Sequence, residues 1–439
     1  MTSTIGISLK RYEIFMKLLH CFATFASMST PSTILVERIA PTHTALKIAV
    51  VTETYPPDIN GVAHTLSKIV LGLRERGHLV WLVRPRQQAG QTADHTTNFE
   101  EVLVRGIPIP FYKQLRMGLP AKRELLKLWT RQRPDVVHIA TEGPLGWSAL
   151  QAARKLKLPV STDFRTNFHA YSQHYGLAWL SGAILAYMKK FHNSAHATMV
   201  PTANLAHELG RKGFKGLHVV PRGVETQLFS PAKRDAGLRA QWGVQDDSPV
   251  MLYVGRIAVE KNLQLVIKTY QAAKQLQPGL RLVMVGDGPM RAELEQAQDK
   301  GIIFAGFRTG EDLARHYASA DVFVFASKTE TFGNVTLEAM ASGLAVVAFD
   351  HAAAGDIIRN GVNGMLADPE SEPSFVMAAQ SLLNAPENLR AIGLRAAATA
   401  AGMGWPSIVE ATEAIMRAVV WQEEMAGVPS LGSAGLAAP

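Results

Sequence analysis

Two glutamates eight positions apart bound the stretch of this sequence richest in candidate chemistry, ETFGNVTLE, from Glu330 to Glu338. It follows the apolar run DVFVFAS (321–327), which reads as a buried strand, so Glu330 falls in the loop beyond that strand. Gly333 and Asn334 have the makings of a tight turn, and a helix is expected from about Val335, with Glu338 in its early turns. The amides of Gly333, Asn334 and Val335 would then point out of a helix N-terminus, which carries about half a positive charge and suits a phosphate. Two carboxylates would repel that phosphate. They are therefore assigned to neutral hydroxyls beside it, Glu330 to those of a transferred group and Glu338 to those of a ribose. The plainer alternative is a helix capped by Asn334, with Glu338 an acid favoured by the helix dipole.

A second cluster, LYVGRIAVEKNL (252–263), ends a buried strand at Gly255 and supplies Arg256 and Lys261 before the next helix. Arg offers a fork for two phosphate oxygens and Lys a compact charge, so together they can neutralise a diphosphate without a metal. The alternative for each is a solvated cation or one paired with a surface acid. Metal-ligand patterns are absent from the sequence. There is no Asp-x-Asp, Cys21 is the sole cysteine, and His64, His138, His169 and His174 lack the i, i+4 pairing of a zinc protease. Neither a metal nor a bound cofactor is expected. The loop TETYPPDINGVAHTL (52–66) has Asn60-Gly61, a pair that tolerates positive φ and could bring helix-start amides towards a ligand, and it lacks the GxGxxG of a dinucleotide site. Finally, STDFRTNFHAYSQHYG (161–176) collects Asp163, Arg165, Asn167, His169, Tyr171, His174 and Tyr175 just past another strand, a composition suited to a substrate surface; each histidine alone is as well read as a structural one.

Residues placed after strands need strands to place them. LKIAVVT (46–52), HLVWLVR (78–84), PDVVHIA (134–140) and LPVSTDF (158–164) are apolar runs with helical periodicity between them, the pattern of a parallel sheet covered on both faces. After VVPRGVETQLFSP (219–231) the alternation restarts with PVMLYVGR, RLVMVGDGP, IIFAGF, DVFVFAS and LAVVAFD, so a second αβ domain is expected near residue 230. Two such sheets leave a cleft at the carboxyl ends of their strands, where ligands bind in this architecture.

At 439 residues and 47% hydrophobic, the chain is long enough for two such domains with large cores, and one cysteine excludes a disulfide framework and fits a reducing compartment. Its net charge of +8 is unevenly spread: residues 1–224 carry 28 Lys+Arg and 13 Asp+Glu, residues 225–439 carry 17 and 24. The basic half points to a polyanion, either nucleic acid or an anionic membrane. Within it, FYKQLRMGLPAKRELLKLWTRQR (111–133) mixes Lys122, Arg123, Lys127 and other cations with Leu125, Leu128 and Trp129. That mixture suits a bilayer interface, with the three apolar residues expected to pack on the sheet; aromatic platforms and a nucleic-acid reader motif are missing. No stretch reaches the roughly 18–20 apolar residues of a membrane span. The run 14–28, after Lys10 and Arg11, resembles a weak export signal without a small-x-small site, and residues 1–44 are read as an unstructured extension.

The order of KIAVVTETYPPDINGV, PDVVHIATEGPLG, VPRGVETQLFSP, YVGRIAVEKN, VGDGP and the Glu-x7-Glu resembles family 4 glycosyltransferases, retaining enzymes of the GT-B fold that use nucleotide-sugar donors. The likeness spans about residues 46–420 and, through its opening segment and FRTNFHAYSQHYG, leans towards bacterial lipid-directed mannosyl and related transferases. The resemblance implies an α/β GT-B fold of two Rossmann-like domains, 45–224 and 225–404, with a helix at 405–423 crossing back to the first; the Gly/Pro/Ala/Ser-rich composition beyond it reads as a disordered tail at 424–439. It also implies roles for matching positions: Arg256 and Lys261 on the diphosphate, Glu330 on the donor sugar, Gly333 to Val335 near phosphate and sugar, Glu338 on the ribose and Gly61 beside the donor phosphate. Where many relatives carry His-Thr, this chain has Arg165-Thr166, so either Arg165 or His169 would face the reacting sugar. Tyr171 falls on the acceptor side. The expected activity is hexosyl transfer, mannosyl favoured, to a lipid or glycan hydroxyl at the inner face of a membrane. The rivals are a GT-B relative that epimerises or phosphorolyses sugars and a non-catalytic membrane-surface binder.

Overall fold

The computed structural model describes residues 45–426 except 59, 89, 110–111, 166–180, 245–247, 297–298 and 331. The expected extension at 1–44 lies outside the described residues, as do His169 and Tyr171.

The first sheet has eight strands: β1 (Lys47–Val51), β2 (Leu79–Pro85), β3 (His95–Thr96), β4 (Phe99–Val104), β7 (Val136–Ile139), β8 (Val160–Asp163), β9 (Ala197–Val200) and β10 (Leu217–Val219); β5 (Gly106–Ile109) and β6 (Tyr112–Gly118) form a separate hairpin. The order is β10-β9-β8-β7-β1-β2-β4-β3, parallel throughout except for β3. The first-lobe helices are α1 (Gly61–Glu75), α2 (Lys122–Arg131), α3 (Pro144–Lys155), α4 (Ser181–His192) and α5 (Ala203–Arg211). Strand β1 shows why its sequence is apolar without alternation. Ile48 and Val50 pack with Leu66, Ile69 and Leu73 of α1, while Ala49 and Val51 pack with Trp129 of α2 and Leu145 and Ala149 of α3. Side chains alternate between two faces and both are covered.

The second sheet, β13-β12-β11-β14-β15-β16, is wholly parallel and comprises β11 (Val250–Val254), β12 (Arg281–Val285), β13 (Ile302–Gly306), β14 (Val322–Phe325), β15 (Ala345–Phe349) and β16 (Met365–Ala367). Around it lie α6 (Ala236–Gln241), α7 (Leu263–Lys274), α8 (Arg291–Gln296), α9 (Gly310–Ser319), α10 (Asn334–Ala341), α11 (Ala352–Ile357), α12 (Glu372–Leu383) and α13 (Pro386–Ala401). The last helix, α14 (Trp405–Ala426), returns to the first lobe, where Trp405, Ile408, Val409 and Met416 join the core beneath α1. It runs to Ala426, so residues 424–426 are helical where the sequence reading began a disordered tail.

One correction concerns residues 95–133. Strict strand–helix alternation stops here, because a two-residue strand, β4 and the hairpin β5–β6 follow one another without a helix, and β6 takes up the first part of the basic segment 111–133. The breaks have local causes. YKQLRMG pairs antiparallel with β5 as a strand, and Pro120 separates it from α2. Lys122, Arg123 and Lys127 therefore share α2, exposed, over a buried Leu125 and Trp129 and a half-buried Leu128. Arg116 instead turns back, donating to the carbonyls of Gln87 (3.2 Å) and Gly106 (3.0 Å).

A buried charge cluster fastens α14 to the first lobe. Glu413 accepts from Arg76 and Arg417, and its Oε1 lies 3.1 Å from Nε2 of the fully buried His78, whose Nδ1 accepts from the Leu46 amide at 3.0 Å. Burial pushes the His78 ring below the usual imidazole range, partly offset by Glu413. A histidine with a depressed folded pKa stabilises above its unfolded value and loses that contribution as pH falls below about 6.5. We expect Glu413→Gln to cost about 2 kcal/mol. Denaturant melts between pH 7 and pH 5 should show a steeper loss of stability in the variant than in the wild type, because His78 loses the carboxylate that eases its protonation.

Candidate active site

The second-lobe wall of the site is built at the carboxyl ends of β11, β12 and β14. Gly333 has φ +89°, a left-handed conformation that glycine adopts freely, and it turns the loop after β14 into α10. Asn334 opens the helix but makes no capping bond; its Oδ1 accepts instead from Nη1 of Arg222 at 3.3 Å. The capped-helix alternative for Asn334 is thus set aside, and the first amides of α10 point out of a helix N-terminus that no side chain caps among the described residues. Glu330 forms an ion pair with Lys261, and Ser327 donates to the same Glu330 oxygen at 3.3 Å. Lys261 ends a 3₁₀ turn, Val259–Lys261, so the loop after β11 delivers its cation to the loop after β14.

Arg256 is not part of that pair. Its guanidinium is 60% exposed and lies 3.5 Å from Glu260. Such an exposed i, i+4 contact is weak and exchangeable. The loop bearing Arg256 is seated on the VGDGP loop by very close backbone approach: a Cβ at Gly286 would lie 1.9 Å from the Gly255 carbonyl oxygen, and the Ile257 amide donates to the Asp287 carbonyl at 2.9 Å. Those glycines are spacing elements between two loops.

Glu338 lies one turn into α10, half-buried, and accepts from the Tyr317 hydroxyl at 2.9 Å. Burial pushes its carboxyl up to about 7, against the lowering effect of that hydrogen bond.

The first-lobe wall differs from expectation at Asn60-Gly61. Asn60 is extended (φ −155°) and caps α1, its Oδ1 accepting from the amides of Val62 (3.1 Å) and Ala63 (2.9 Å). No positive-φ turn forms, because the side-chain cap holds Asn60 in the extended conformation of an N-cap. Gly61 serves another need: a Cβ there would lie 3.0 Å from Nη1 of Arg222. Glu53, from the same loop, accepts from the amides of Gly118 and Leu145, tying the hairpin to the start of α3. Its carboxyl is raised by burial, opposed by those backbone bonds.

Arg165 is buried and bound to Asp163 at 2.5 Å, and Asp163 also meets Nε2 of His138 at 3.2 Å. Burial of Asp163 is outweighed by the Arg165 guanidinium and the His138 ring, which hold its carboxyl well below the usual range. Arg165 is therefore anchored from beneath by a carboxylate. The structure brings Gly61 to Asn334 through Arg222, and Lys261 to Glu330. Sequence reasoning missed Arg222 itself, in VVPRGV, a segment read as a domain boundary and as part of the family resemblance but given no site residue; a charged residue wedged between Pro221 and Gly223 was the available signal.

Two Rossmann-like lobes with strand carboxyl ends facing one cleft define a GT-B glycosyltransferase. Residues 59–228 match the model for Glycosyltransferase Family 4, and residues 248–385 that for Glycosyl transferases group 1. A GDP-mannose-dependent alpha-mannosyltransferase of Mycobacterium tuberculosis is 34% identical over 324 residues, covering 73% of this chain and 83% of that protein. An alpha-monoglucosyldiacylglycerol synthase of Streptococcus pneumoniae is 29% identical over 338 residues, covering 73% and 75%. Among solved structures, Anabaena Alr3699/HepE in complex with UDP and glucose superposes with a TM-score of 0.65 at 20% identity, covering 85% of this chain and all of that one, a likeness of fold. The chain belongs to glycosyltransferase family 4.

A carboxyl with a raised folded pKa stabilises below its unfolded value near 4.5, and that contribution is lost as pH rises to about 7. Across pH 4.5 to 7, unfolding free energies of the wild type should therefore fall relative to those of Glu338→Gln, with no further divergence above pH 7.

Proposed function

We propose that this glycosyltransferase moves a hexosyl group, mannosyl favoured, from a nucleoside-diphosphate sugar to a hydroxyl of a lipid or glycolipid, with retention of configuration and without a metal. The observation that carries the reading is the meeting of Lys261 and Glu330 beside the N-terminus of α10, at the carboxyl end of a parallel sheet. Lys261, with Arg256 released from Glu260, would stabilise the charge developing on the leaving diphosphate. Glu330 would leave Lys261 for the donor sugar, and Glu338 would hold the ribose. Guanosine as the donor base and mannose as the sugar rest on the mannosyltransferase relative.

A lipid acceptor is supported by the relative named for a diacylglycerol product and by the exposed cations of α2. Each cation near an anionic surface contributes about 1 kcal/mol. Among the described residues no helix is long and apolar enough to cross a membrane. The association proposed is a peripheral one through the cations of α2, at the inner face, where nucleotide sugars are available.

A thermal-shift screen with GDP-, UDP- and ADP-sugars should show the largest rise with the GDP-sugar. Glu330→Ala and Lys261→Ala should each lower turnover by about 10²–10³; unchanged turnover in Glu330→Ala would sink its assignment. Replacing Lys122, Arg123 and Lys127 together with Glu should abolish sedimentation with vesicles of anionic lipid, whereas binding that persists in the variant and in high salt would refute the surface reading.

A further inference from the structure

Arg222 occupies a position that an arginine does not hold without cause. It sits on the segment leaving β10, only 7% exposed, and the same nitrogen, Nη1, lies against the first residue of α1 and the first residue of α10. Both helices present their positive ends there. A second guanidinium, that of Arg165, adds repulsion, while Glu330 and Asp163 attract from farther off. Asp163 is already bound by Arg165 and His138, and Glu330 by Lys261. Among the described residues Arg222 forms no ion pair, and its buried Nε has no hydrogen-bond partner. The ring of Phe332, centred 5.8 Å from the guanidinium carbon, offers one soft contact.

A buried cation is expensive unless paired, and placing it at two helix N-termini adds to the cost. The segment could relieve it with any apolar residue. What Arg222, the amides at the head of α10 and the space left by Gly61 share is complementarity to a group with several negative oxygens.

We infer that Arg222 is a phosphate ligand of the donor, its fork taking two diphosphate oxygens from the first-lobe side while Lys261 acts from the second. This rests on the nucleotide-sugar reading above and adds to it a contact from the chain segment that joins the lobes. A buried cation that costs the unliganded protein stability has the physical character of a binding residue rather than a structural one.

Binding of GDP, UDP and ADP, each beside its monophosphate, to wild type, Arg222→Met and Arg222→Lys tests this by calorimetry, with unfolding midpoints measured without ligand. In the wild type the diphosphate of the recognised base should bind at least tenfold tighter than the monophosphate. Arg222→Met should lose that increment, keep monophosphate affinity within about twofold and unfold at a higher temperature without ligand; Arg222→Lys should retain part of the increment. An increment that survives in Arg222→Met overturns the assignment, and so does a lower unliganded midpoint, which would make Arg222 a structural strut. Failure of the wild type to bind any of the three diphosphates would instead remove the nucleotide-sugar reading itself, and the assignment with it.

Discussion

Positive charge held at the carboxyl ends of two parallel sheets is the constraint around which this protein is organised. A parallel sheet with crossover helices sets helix N-termini on the strand-end side, and here α1 and α10 aim theirs at the same guanidinium. Like charges crowd together only where surrounding structure prevents their separation. Asp163 anchors Arg165, Glu330 anchors Lys261, and Asn60 fixes the start of α1, so the groups around Arg222 are restrained on their own sides of the cleft while Arg222 itself forms no ion pair among the described residues.

The restraint extends outward through buried carboxylates. Glu53 joins the loop after β1 to the hairpin and to α3, and Glu413 ties the last helix to the edge of the first lobe. Neither touches the cleft chemistry described, yet each gathers backbone or charged groups from segments distant in sequence. Such fully partnered acids give direction to a core that apolar packing alone leaves degenerate.

How much was legible in the sequence depended on whether the signal was local. The strands DVFVFAS and PVMLYVGR, the helix after Gly333 and the adjacency of Glu330 to its loop are written in short windows, and the fold followed from their order. Strands β9 and β10, ATMV and LHV, lack the longer apolar run that marks β14 within DVFVFAS, and the hairpin at 106–118 was hidden within a basic run. The positive-φ turn expected at Asn60-Gly61 does not form, and the spatial neighbour of Gly61 is 161 positions away: the sequence shows an Asn-Gly pair, whereas the space it leaves for Arg222 exists only once β10 and α1 are packed in the first lobe. The exposed Arg256 rests on Glu260 four positions on, the surface-acid pairing that its sequence left open as the alternative to a phosphate role.

The return of α14 has a consequence for how such proteins diverge. The chain crosses between lobes twice, and the two crossings run side by side, with Val224 bridged to Gly404 and its amide donating to the Met403 carbonyl at 3.0 Å. Trp405, Ile408 and Val409 then complete the core under α1. A cut anywhere between the sheets would strip the first lobe of that closing layer, so the lobes are not two beads on a string. Exchange of donor specificity between relatives by recombination must therefore replace an internal cassette with both of its junctions at this paired crossing, leaving the two ends of the chain in the same parent.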